Sequence, residues 1–437
     1  MPSKITRAGD VSVEYVYIVS SNGLKTNITN QVESFTIYED LFDNFLSGTI
    51  LINDAQSLTN LFPLVGQEFI GLSFNTPSLD EEYRYQGEFY IDRCSENLSP
   101  NSRTSLYELH FVSKEAIIDL NKKLSRAYRG TGSSMIREIV HGEDGLQSTK
   151  ELNIEDSANS FKFVSNWWKP TKCIQYITNH SVNSNNSPSY LFYENSYGFN
   201  FVTLDSLFSE ELPCYQDFYV GDFGGVEDNL ENDYKKVIKI DYYDGYDYVR
   251  RLKDGYYGGE VITWDTTTQQ YVHNRMYRDF SSDHHLNKSD PIPTNIPVDT
   301  RSFIEFVPKS YNTFSDVGDH TDAKNRIDRR QILSRVDTTK VVIEVEGRTD
   351  YGVGMKVSLT VPKNTEHRED MDNTDYLLSG YYIITSCAHT VQNNKHRCVI
   401  ELCKDSFSVD INSSIADGKS NGRVVKSIDL SNYHGTD

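Results

Sequence analysis

The sequence predicts a β-dominated α+β protein: two related antiparallel β-barrels with mixed α/β insertions. Three observations predict it. The aromatic residues are mainly Tyr (29) and Phe (21), which suit half-buried pleated surfaces better than helical bundles. Short stretches of apolar and polar alternation recur at both ends of the chain, bounded by turn-forming residues. Finally, a segment near the N-terminus returns near the C-terminus, as expected when one unit is used twice.

The first barrel is assigned to residues 1–115. Val11–Val19 alternates before Ser20-Ser21-Asn22-Gly23, and further strands are predicted at 33–38, 47–53, 67–74, 83–94 and 104–113. A mixed α/β insert follows at 116–231. Helical spacing appears in Lys114–Leu120 and Ser133–Val140, Pro170 opens another helix, and a turn at Asn195–Gly198 joins two strands. The second barrel is discontinuous, 232–243 with 336–410, and its strands are placed at 236–240, 339–346, 355–361, 376–387 and 397–403. Between its two parts lies a middle domain, 244–335, with a polar excursion at 281–325 and a helix at 326–334. Residues 411–437 read as a polar tail.

Residues 83–113 match residues 376–406 at one offset of 293 without a gap, with eight of 31 positions identical. Gly87, Cys94, Glu108 and Leu109 fall on Gly380, Cys387, Glu401 and Leu402, and upstream Gly66 can be set beside Gly354. Generic alternation does not place a Gly, a Cys and a Glu-Leu pair at one offset. The four glycines are predicted to begin or punctuate strands.

Composition excludes several functions. A formal charge of −20 disfavours static binding to nucleic acid or anionic membranes. No apolar run is long enough to span a bilayer, and the first residues lack the apolar stretch of a secretion signal, so synthesis in a bacterial cytoplasm is expected. Six cysteines without a CxxC pair read as buried thiols, with no metal and no cofactor expected. Asp283-His284-His285 reads as a solvated loop and His389 as structural. No nucleophile elbow, phosphate loop or zinc-protease helix is present, and no carboxylate pair stands out among 63 acidic residues, so no enzymatic role is predicted. Trp167-Trp168 supports an alternative, an adhesin stacking on host-surface glycans, although a core or interdomain contact is the stronger reading.

The second copy of the repeat, a Gly-led strand followed by Leu378-Ser379-Gly380-Tyr381-Tyr382-Ile383-Ile384, a His-bearing hairpin and Ile400-Glu401-Leu402-Cys403-Lys404-Asp405-Ser406, resembles the closing tube-like domain of baseplate central hub proteins from T-even-type contractile-tailed phages. Tyr242–Tyr248 and Gly255–Asp265 likewise resemble their inserted middle domain, and the order of elements agrees over roughly residues 10–410. The resemblance implies two tail-tube-like barrels, a homotrimer in the virion baseplate and no catalytic residues. Its implied partners are the tail tube or tube initiator, baseplate wedge proteins and a spike. With no repetitive C-terminal β-helix in the chain, that trimeric spike is expected to be a separate protein. Three chains with two barrels each would present six similar units, matching a hexameric tube to a trimeric spike. Such a ring would carry a formal −60, suited to passing DNA through an acidic lumen without holding it.

Overall fold

The computed structural model describes residues 7–54, 66–79, 83–97, 105–221, 229–244, 247–265, 268–277, 285–288, 302–309, 320–363 and 374–409. The predicted tail at 411–437 lies outside them.

The first unit contains β1 (Ser12–Val19), β2 (Lys25–Asn27), β3 (Val32–Asp40), β4 (Ser47–Asp54), β5 (Phe69–Asn75), β6 (Tyr85–Asn97) and β7 (Ser105–Ser113), ordered β3-β4-β7-β6-β5-β1-β2. Their alternation places Phe35, Ile37, Ile50, Phe74, Phe89 and Phe111 in one core.

The insert holds α1 (Lys114–Asn121), β8 (Ala127–Thr131), α2 (Gly132–His141), β9 (Leu152–Ile154), β10 (Ser160–Val164), α3 (Pro170–His180), β11 (Tyr190–Asn195), β12 (Gly198–Thr203) and α4 (Leu204–Phe208). Thr131 caps α2 by accepting from the Ser134 N–H, and Pro170 opens α3, where a missing N–H costs nothing. Trp168 packs against Phe163 and Tyr176 in this core, whereas Trp167 is 69% exposed, so the two rings do not form a tandem stacking platform.

The remaining elements are β13 (Gln216–Val220), α5 (Leu230–Lys235), β14 (Lys236–Asp244), α6 (Tyr248–Lys253), β15 (Gly258–Asp265), β16 (Gln270–Tyr277), β17 (Ile304–Lys309), α7 (His320–Leu333), β18 (Thr339–Glu346), β19 (Lys356–Thr360), β20 (Gly380–Gln392) and β21 (Lys395–Lys404). Strands β19-β13-β14-β18-β21-β20 form a ring, because β19 also pairs with β20. Val341, Ile343, Val357, Ile384, Ile400 and Leu402 fill it.

Several expectations need correcting. The first unit does not close with its own strands among the described residues. Its β3 edge pairs with β20, from Asp40 opposite Ser386 to Ser34 opposite Gln392, making one sheet of thirteen strands. Strand β13, expected in the insert, belongs to the second barrel and runs parallel to β14 and β19. A parallel return needs a long crossover, which α5 and its flanking segments provide. The excursion at 281–325 contributes β17, parallel to β15, and α7 begins at His320 rather than 326. Cys94 and Cys214 are exposed, so only four of the six thiols are buried.

The repeat holds in its first strand and slips in its second. Both hairpins carry a bulge at the same offset, between Ile91 and Arg93 and between Ile384 and Ser386. Leu109 faces Cys94, but Cys387 faces Ile400, so the positional counterpart of Leu109 is Ile400 and that of Phe111 is Leu402. The Asn393-Asn394 turn, with both residues at positive φ, makes the second hairpin two residues tighter, and an even slip leaves each side chain on its original face.

Gly66 and Gly354 share a left-handed φ, +84° and +85°, but in different surroundings. A Cβ at Gly354 would lie 2.3 Å from the Tyr193 hydroxyl, whereas nothing lies within 4 Å at Gly66. Gly354→Ala is therefore expected to destabilise by more than about 1 kcal/mol, and by more than Gly66→Ala, in urea titrations of both.

Lys404 is fully buried at the end of β21, donating to the Leu377 and Ser379 carbonyls. Burial lowers its ammonium from 10.5 to about 7. Between those values the unfolded chain holds a proton that the folded chain has released, so stability rises with pH across that window. The slope is at most about 1.4 kcal/mol per pH unit. Thermal melts from pH 7 to 10 are expected to show this rise, and Lys404→Met to remove it.

Candidate assembly surface

The side chains that β14, β18, β21, β20, β3, β4 and β7 turn away from their cores form one face that crosses from the second unit into the first. Register defines it row by row. Arg397 faces Thr390, which faces Thr36, then Thr49, then His110, and a neighbouring row runs Glu344, Val399, Ala388, Tyr38, Ser47 and Val112. Small and hydroxyl side chains occupy the seam itself, where the Thr36 and Thr390 hydroxyls are 3.1 Å apart. Acidic groups punctuate the face. Glu344 pairs with Arg397 at 2.8 Å, Glu401 with Lys340 at 3.6 Å, and Asp241 with Lys239 at 2.5 Å. Partial burial pushes the Asp40 carboxyl up, and the nearby Glu401 and Asp43 add to that shift.

The face is held in position from behind by buried polar joints. Glu39 points inward from β3, accepting from the Ser196 N–H at 2.9 Å and the Val353 N–H at 3.2 Å, so one carboxylate ties the first sheet to the insert and the second barrel. Burial pushes this carboxyl up to about 7, opposed by His389 and the two N–H donors. Arg335 is fully buried and bridges Asp405 at 2.7 Å and Asp205 at 2.9 Å. His285 also reaches Asp405, at 2.8 Å, and is mostly buried rather than part of a solvated loop, while Asp283 and His284 lie outside the described residues.

The repeat positions divide between this face and the cores. Glu108 and Glu401 turn outward, whereas Leu109, Leu402 and Cys387 are buried. Cys94 is exposed on its strand, and Gly87 lies beside the Phe89 ring with no positive φ. Gly380 opens β20 at φ +138°, where a Cβ would meet Asn287. The sequence reading missed Glu39, Arg335 and the seam, whose partners lie up to about 350 residues apart.

No protein-family model matches the chain. It is 24% identical over 423 residues to the "Probable baseplate hub protein" of Vibrio phage KVP40, covering 90% of this chain and 93% of that one. Its fold is similar to the tail protein from Neisseria meningitidis MC58, with a TM-score of 0.55, 10% identity and coverage of 90% and 96% of the two chains. It is also similar to the 43 kDa tail protein of prophage MuSo2 from Shewanella oneidensis, with a TM-score of 0.54, 9% identity and coverage of 91% and 100%. Over nearly its whole length the chain is thus a homologue of a phage baseplate hub protein with the fold of phage tail proteins, and this homology supports a structural role in the virion tail baseplate.

Proposed function

We propose that three copies of this chain form a pseudo-sixfold ring that joins the hexameric tail tube to a separate trimeric spike and surrounds the exit channel. The observation that carries this reading is the uninterrupted outward face shared by the two related β units paired through β3 and β20. Each chain offers two similar units in a fixed relation, so three chains offer six, and a ring of three can meet a sixfold tube on one side and a threefold spike on the other. The face, with small and hydroxyl side chains at its seam, would line the channel, and the chain's net negative charge would repel rather than retain the phosphates of passing DNA. Wedge proteins would dock on the outside. The role is one of assembly, without catalysis, in a protein made in the host cytoplasm.

The test is the mass of the purified chain, alone and with its candidate spike, by light scattering at several concentrations. Trimers, or monomers that join the spike in three-plus-three complexes, support the hub. A persistent monomer that ignores the spike and binds glycans would replace it with the adhesin.

A further inference from the structure

Cys387 and His389 are two residues apart on β20, and His396 and Cys398 two apart on β21, so all four point into the molecule. The tight turn between the strands sets His389 opposite Cys398. All four residues are fully buried. His389 Nδ1 lies 3.1 Å from His396 Nε2 and 3.3 Å from Cys398 Sγ, and Cys398 Sγ lies 3.5 Å from His396 Nε2. A tetrahedral zinc ion with bonds of about 2.0–2.1 Å to nitrogen and about 2.3 Å to sulfur requires edges of about 3.3 Å between nitrogens and about 3.5 Å from nitrogen to sulfur. The three measured edges match. Cys387 Sγ sits 3.4 Å from the other nitrogen of His389 and against the Cys398 thiol, and the ligand atoms of Cys387, His389 and Cys398 all fall within 4.8 Å of one another.

The surroundings suit a bound cation better than a chance polar cluster. The other inward positions of this hairpin include Ile384, Val391, Ile400 and Leu402, so the four groups sit among apolar side chains, with the buried Glu39 carboxyl on the neighbouring strand the nearest acidic group. His396 Nδ1 has no hydrogen-bond partner there, a cost that must be offset by what Nε2 gains. Space has been left for that ring, because a Cβ at Gly347 would lie 2.4 Å from it. The first hairpin carries Cys94, Glu96, Ser105 and Tyr107 at the equivalent places and has no such set.

We infer that Cys387, His389, His396 and Cys398 form a closed structural site for one zinc ion. Two thiolates cancel the charge of the ion, so the filled site is neutral, as a fully buried position requires. On filling, two thiol protons leave to solvent and four bonds to the metal form, with no redox change. Four protein ligands leave no open position, which makes the ion a staple rather than a catalyst. It would sit at the seam, since Phe74 of the first unit packs edge-on against His396 and Tyr85 lies beside His389.

Elemental analysis of the full chain, purified reduced and without chelator, is expected to find one zinc per chain. Adding Co2+ to the chelator-stripped chain should produce thiolate charge-transfer and tetrahedral d–d absorption that zinc then bleaches. Cys398→Ser should weaken binding by more than the roughly 10–100-fold typical of losing an outer partner, and Cys173→Ser, at a buried thiol elsewhere, should leave it unchanged. If Cys398→Ser fails to fold, the cobalt spectrum of the natural chain still decides, because its charge-transfer intensity counts the thiolates. A reduced chain that takes up neither metal overturns the site, as does a Cys387–Cys398 disulfide in the freshly purified protein.

Discussion

Arg335→Met is expected to cost about 3–5 kcal/mol of unfolding free energy, more than any other single change to a side-chain contact described above. The guanidinium is fully buried and makes two bonds to Asp405, from Nε at 3.1 Å and Nη2 at 2.7 Å, with a third to Asp205. Burial alone would push the Asp405 carboxyl up, but Arg335 and then His285 hold it well below the usual carboxylate range. Removing Arg335 leaves that carboxylate buried beside His285 and Lys404 without its guanidinium partner, so it must either ionise at a cost or take up a proton. Its folded-state affinity for the proton then exceeds that of the unfolded chain, and stability falls as pH rises above the normal carboxylate range. Urea titrations should therefore show a larger loss at pH 8 than at pH 5. The double variant Arg335→Met/Asp405→Leu should recover much of it, because an apolar replacement of both partners leaves no buried charge at this pair. A loss below about 1 kcal/mol in the single variant would mean that water reaches the pair.

Thr36→Pro is the second large effect. Thr36 lies between Thr390 on β20 and Thr49 on β4, in the middle of the seam. Proline deletes one ladder hydrogen bond and is excluded from central strands. An orphaned carbonyl costs about 1–3 kcal/mol and the lost hydroxyl bond about 1 more, so a loss of about 3 kcal/mol is expected. Thr36→Val keeps the backbone and forfeits only the hydroxyl contact. Denaturation separates the two variants, and light scattering tests whether the relation between the units matters for association. Under the hub reading the proline variant loses the trimer at concentrations where the valine variant keeps it.

Much of the fold was legible in the sequence because its signals are local. Alternation placed the strands around Phe35, Phe111 and Ile343, and the helical spacing from Ser133 and the proline at 170 marked helix starts near their observed positions. Strand β13 was missed because five residues carry little periodicity and its partner on β19 lies 141 residues away. The two-residue slip in the repeat was invisible for a different reason. Glu-Leu aligned with Glu-Leu keeps the same parity in either register, so alternation cannot tell them apart. Closure through β20 was not legible either, since an edge strand and a central strand read alike until the partner is known. Nor did Cys-x-His and His-x-Cys stand out, because only the Asn393-Asn394 turn makes them face each other.

The join between β3 and β20 also has a consequence in time. Strand β3 leaves the ribosome about 350 residues before the strand that covers its edge. At about 5–20 residues per second, the edge stays open for roughly 20–70 s, long enough for another nascent chain to pair with it. Glu39 lies on that strand and points inward, a placement that deters edge-to-edge association. Once β20 arrives, the same carboxylate is buried against the Ser196 and Val353 N–H groups and becomes part of the joint. One residue would thus guard the unfinished sheet and then fasten the finished one.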